Sequence, residues 1–199
     1  MAPSDIKPPL RVGEVIAANS SGFVAQCYQL YCAPAIGQFV RAGSPAIYGI
    51  VWQVRTEPLD PSRPVLARGE NAETEEEIYR DNPQISRLLT SRFETLIVGY
   101  QAEEVFCQHL PPLPPRVHSF VHLCSLDEVS LFAESLDFLR LLVRAGATAS
   151  DEVIGACVIA AAATSADSQE LMIRAGRVLA TELSGDLPRI NAILRRITA

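Results

Sequence analysis

The chain is almost without lysine. Lys7 is the only one in 199 residues, it lies in a proline-rich N-terminal stretch, and every other cation is arginine. No Schiff-base or P-loop lysine can therefore come from the folded body. The sequence also lacks G-x-x-x-x-G-K-[ST], G-x-G-x-x-G and G-x-S-x-G, so the common phosphate-binding and nucleophile-elbow signatures are missing. Its five cysteines, Cys27, Cys32, Cys107, Cys124 and Cys157, form no C-x-x-C and no paired metal spacing. They read as small apolar side chains in a reducing compartment. No apolar run approaches the ~18 residues of a membrane span, and MAPSDIKPPL has no signal-peptide core. A cytoplasmic protein with no membrane span is expected.

Positive charge is scarce overall. The net charge is -6 and the pI about 5.1, against the basic stripe that displaces counterions from nucleic acid and against a polybasic membrane-surface protein. Hydrophobic residues make up 48% of the chain, enough for a folded core.

The densest patterning runs from Arg11 to Thr56. Residues 1–10 read as a flexible arm. Arg11–Asn19 is a first strand, with Gly13 marking a bulge or a close backbone approach. After a Ser20–Gly22 turn come strands at Phe23–Tyr31, Gln38–Arg41 and Ala46–Thr56, the last rich in β-branched and aromatic residues around Trp52. Four strands in so short a stretch suggest a small barrel or sandwich. Glu57–Ala72 is a loop by its prolines and charges. Thr74 and Glu77 form a capping-box pattern opening a helix, and the glutamates around them suit a helix N-terminus better than a metal site. A second helical stretch is expected over Pro83–Ser91, with Ile85, Leu88 and Leu89 at helical spacing. Strand character returns at Phe93–Tyr100 and at Val105–Phe106, and Arg116–Leu123 alternates as a closing strand.

Composition shifts at Cys124. Ser125 and Glu128 form another capping-box pattern, predicting one long helix through Arg144 that ends at Gly146. Asp151–Ala163 is small and apolar, a central buried helix. Two more follow, opened by Asp167 and Asp186. The expected fold is α+β: a small N-terminal β-barrel over 11–123 with a helical insertion at 74–91, then a bundle of about four helices over 124–199.

Chemistry is thinly signalled. His118 and His122 on one strand would stand roughly 13 Å apart, too far for one metal ion. Cys107 and His109 would share a strand face, but no third group orients them. No catalytic residue, metal or cofactor is expected. The Pro58–Gly69 loop is the better contact surface, because Arg63 and Arg68 can grip a carboxylate or phosphate through two N–H groups. Glu70 and Trp52 complete the candidate partner-binding set.

Val12-Gly13-Glu14-Val15-Ile16, Phe23–Tyr28, Ile36-Gly37-Gln38-Phe39-Val40 and Tyr48-Gly49-Ile50-Val51 together resemble the HAS barrel. This small domain is found at the N-termini of HerA-type DNA-translocating ATPases and of ATP synthase α and β subunits. PPRVHSFVHL looks like its closing strand, and the whole chain resembles short stand-alone HAS-barrel proteins of cyanobacteria. The resemblance covers roughly the first 120 residues and implies a barrel used in assembly. It does not carry over ATP hydrolysis, because no motor domain follows. The implied function is a non-catalytic assembly or adaptor protein that binds a protein partner or complex, with self-association left open. The alternatives are a nucleic-acid-associated accessory factor of a HerA-type system and an enzyme of unrecognised type.

Overall fold

A computed structural model describes residues 10–103 and 105–198; the expected N-terminal arm, Leu10 apart, lies outside them. The chain runs β1 (Arg11–Ala18), β2 (Gly22–Cys27), β3 (Phe39–Ala42), β4 (Ile47–Pro58), α1 (Glu75–Asp81) and α2 (Ile85–Leu88). It continues through β5 (Leu89–Ala102), β6 (Val105–Cys107), β7 (Phe120–Leu123), α3 (Leu126–Phe132) and α4 (Phe138–Arg144). A 3-10 turn (Gly146–Thr148) then precedes α5 (Asp151–Ala162), α6 (Ser168–Glu182) and α7 (Leu187–Thr198). The fold is therefore α+β.

All seven strands belong to one antiparallel sheet, ordered β2-β1-β7-β3-β4-β5-β6. A further ladder joins β2 to β5, with Ala25 opposite Phe93, so the pairings of six strands return to their starting point. Each of those six contributes to one core, including Val15, Ala25, Val40, Val51, Phe93 and Val121. Gly13 serves the close approach its position suggested. It stands opposite Cys27, the β1–β7 register shifts beside it, and a β-carbon there would run into the Gln26 carbonyl oxygen. The β1–β2 turn is closed by Asn19, whose Oδ1 accepts from the Ser21 and Gly22 amides at 2.9 and 3.0 Å.

The other face of β3, β4 and β5 is not left to water. Phe39, Tyr48, Ile50 and Val98 pack into a second core shared with the helices. Alternation assigns the two faces: Ile47 and Val51 point to the first core, Tyr48 and Ile50 to the second. At its centre Phe132 of α3, 1% exposed, stacks on Tyr48 with centroids 5.2 Å apart. It also meets Phe39, Phe106 and Phe138 at 6.0, 5.6 and 5.6 Å. Gly37, at φ +82°, brings the β2–β3 connection against the backbone of Ala156 in α5. The hydrophobic core thus runs across the composition shift at Cys124.

Several expected boundaries move. The helix predicted over Ser125–Arg144 is two helices, although the Ser125–Glu128 capping box is present at its start. Gln108 explains the break: its Nε2 donates to the carbonyls of Phe132 and Ser135, and its Oε1 accepts from the Phe138 amide at 2.9 Å. One side chain satisfies groups at the end of α3 and the start of α4. Among the described residues five helices therefore follow the sheet, where about four were expected. The second insertion helix stops at Leu88, because Leu89–Ser91 extends β5 to pair with Thr56–Pro58. The closing strand is confined to Phe120–Leu123. Residues 116–119 turn, with His118 at φ +68°, so His118 and His122 do not share a strand. β2 likewise ends at Cys27 rather than Tyr31, which takes φ +63°.

Truncating Phe132 empties the centre of the shared core. Phe132→Ala is expected to lower unfolding free energy by about 3–5 kcal/mol in urea titration. A loss below about 1 kcal/mol would contradict its central place.

Candidate functional site

β4 and β5 continue as a two-stranded ribbon beyond the sheet, down to the pair Pro58 and Leu89, and the insertion 59–88 sits on its end. The Leu59 amide donates to the Leu88 carbonyl at 2.8 Å, closing the base of the insertion. Helix α1 starts at Thr74, whose hydroxyl accepts from the Glu77 amide at 3.4 Å; the Glu77 carboxylate reaches back to the Glu73 amide rather than to Thr74. That offsets the expected capping box by one residue. Tyr79 of α1 touches the segment after β2, with its hydroxyl 2.7 Å from that of Tyr31 and the rings edge to face. Tyr31 is itself tied to the ribbon, its amide donating to Ser91 Oγ at 2.8 Å.

Between the 58–68 segment, α1 and α2 lies a groove of about 660 Å³. Leu59, Val65, Leu66, Tyr79 and Leu88 form much of its apolar wall and remain 40–68% exposed. Arg63, Arg68 and Arg87 also line it, with Asp60 and Glu75. Arg63 Nε lies 3.3 Å from Asp60, and Arg68 donates to Asn82 Oδ1 at 3.0 Å. The Ser62 hydroxyl and amide both donate to Asp60 and hold its carboxyl below the usual range.

The four residues expected to bind a partner separate here. Arg63 and Arg68 meet in the groove; Glu70 is exposed just beyond it and does not line it. Trp52 packs against the helical core and lines a different, smaller pocket of about 280 Å³ with Asn19, Glu94 and Thr148. Sequence reasoning missed Arg87, Tyr31 and the α1 wall. The available signal was the Ile85–Leu88–Leu89 stripe, an apolar helical face in a segment too short to fill a core of its own.

The remaining candidate chemistry is dispersed. The His109 ring meets Tyr100 edge to face at 5.3 Å, and burial, with a smaller contribution from nearby Cys107, raises the pKa of the Tyr100 phenol. His118 Nδ1 is 3.2 Å from Glu14. His122 is held low by burial and by the nearby Arg41 and Arg11 guanidiniums. Burial, with a smaller contribution from nearby Cys32, pushes the Cys27 thiol up to about 11, and burial drives Cys124 and Cys157 higher still. No helix among the described residues is long and apolar enough to cross a membrane.

No family model matches the chain, and no curated protein matches it either.

Thiolate is the reactive form, so burial orders the cysteines. At pH 8, iodoacetamide should label exposed Cys32 first, while Cys27, Cys124 and Cys157 wait for unfolding. Peptide mass spectrometry reads the order, and early native labelling of Cys157 would contradict it.

Proposed function

We propose that this chain is a non-catalytic assembly or adaptor protein that holds a protein partner in the groove beside the Pro58–Gly69 segment. The observation that carries the reading is the apolar wall itself. Val65 and Leu66 are 63% and 68% exposed, adjacent in sequence, and continuous with Leu59 and Leu88. Solvated leucines gathered in one concavity, rather than scattered singly, mark interaction surfaces. The arginines around them supply directional polar contacts.

The closed cycle of six strand pairings supports reading the sheet as a small barrel of the HAS type. On that reading the barrel is the rigid scaffold and the 59–88 insertion is the contact element it presents. The scaffold and the groove meet at the β4–β5 ribbon, so an occupant would be fixed relative to the barrel.

The test is native co-purification with cross-linking, using the full chain and Leu66→Asp. A partner cross-linked to the 59–88 insertion and weakened ten- to hundredfold by Leu66→Asp is expected, the loss of one buried leucine being about 1.5–3 kcal/mol. No retained partner, or one retained equally by the variant, would overturn the proposal.

A further inference from the structure

The groove's electrostatics restrict what it accepts. The protein carries a net charge of -6, yet three guanidiniums line this groove against two carboxylates. Both carboxylates already have work. Asp60 accepts from Ser62 Oγ and N at 2.7 and 3.0 Å and faces Arg63. Glu75 occupies the first turn of α1, where its charge offsets unpaired backbone N–H groups.

The arginines are less fully engaged. Arg63 meets Asp60 through Nε, and Arg68 spends one terminal nitrogen on a neutral amide oxygen. Arg87 makes no ion pair and no side-chain hydrogen bond among the described residues. The unspent donors are therefore cationic, and they stand at the edge of an apolar surface.

We infer that the groove binds a short acidic segment of a protein partner, one that places leucine-like side chains on the apolar wall and a carboxylate against Arg87 or Arg68. This rests on the proposed adaptor reading and adds the partner's chemistry. A chain segment suits the surface better than a small amphiphile. The wall residues are spread over the 58–68 segment, α1 and α2, and each keeps much of its exposure, so a small ligand would stay largely wet. A basic or purely polar segment would leave either the guanidiniums or the leucines without complement.

Selection of a random peptide display library on the full chain tests this. Enriched peptides should combine Asp or Glu with Leu, Ile or Phe. A synthetic consensus peptide, followed by fluorescence anisotropy, should bind about tenfold more weakly to Arg87→Glu or Arg68→Glu and lose affinity as salt rises. Both arginines are exposed, and unchanged circular dichroism would show that the variants fold; the salt series needs no variant. Basic or uncharged consensus peptides, binding indifferent to both variants and to salt, or no enrichment would each overturn the inference. So would arginine-dependent binding of laurate or of a single-stranded oligonucleotide in place of any peptide. If Leu66→Asp releases a native partner while selected peptides are not acidic, only this inference fails. If acidic peptides bind and no native partner is found, the adaptor reading is what fails.

Discussion

The contact of Phe132 with Tyr48 is the interaction on which the rest of the structure depends. A six-strand ring of pairings can fill its own interior, and here Val15, Val40, Val51, Phe93 and their neighbours do so. What it cannot do alone is cover the outward side chains of β3, β4 and β5. Phe39, Tyr48, Ile50 and Val98 would be left in water without the helical layer, which meets these strands through α3, α4 and α5. Phe132 is the side chain through which this cover meets three aromatic rings of the sheet, Phe39, Tyr48 and Phe106, beside Phe138 of α4. Two apolar faces on one set of strands also explain why these strands read as nearly continuous hydrophobic runs.

That double burial leaves the β4–β5 ribbon as the part of the sheet free to carry something else. From Gln53 onward β4 has left β3, and none of its residues is buried: Val54, Arg55 and Thr56 are exposed and Gln53, Glu57 and Pro58 half-buried. The insertion's ties are mostly polar: Leu59 to Leu88 closes its base, Arg68 to Asn82 braces it internally, and Tyr79 to Tyr31 joins it to the segment after β2. Neither α1 nor α2 contains a buried residue. An element with so little core of its own keeps its apolar side chains at the surface, and the groove follows from that.

Local signals in the sequence reached far into this arrangement. The strands around Val15, Phe39 and Ile50 followed from β-branched patterning, and the helix starts at Thr74, Ser125 and Asp167 from capping residues. Two of the misplaced boundaries share one cause, a partner distant along the chain. Gln108 divides the helix expected through Arg144 from a position well before it. Thr56–Pro58 draw Leu89–Ser91 out of a helical pattern and into a strand. Of the candidate site, Arg63 and Arg68 were legible from loop composition, whereas Arg87 and Tyr31 join them only through the ribbon. Trp52 was placed in the partner-binding set from a strand rich in β-branched and aromatic residues, but it packs against the helical cover.

Sheet and helices share the second core, through Phe39, Tyr48, Ile50 and Val98, and therefore stand or fall together. Trp52, the only tryptophan, packs at the seam between them, while far-UV circular dichroism follows the helices. Urea unfolding watched by both signals should give one coincident transition with the same midpoint. A helical transition clearly separated from the Trp52 transition would show two independent cores and contradict the account.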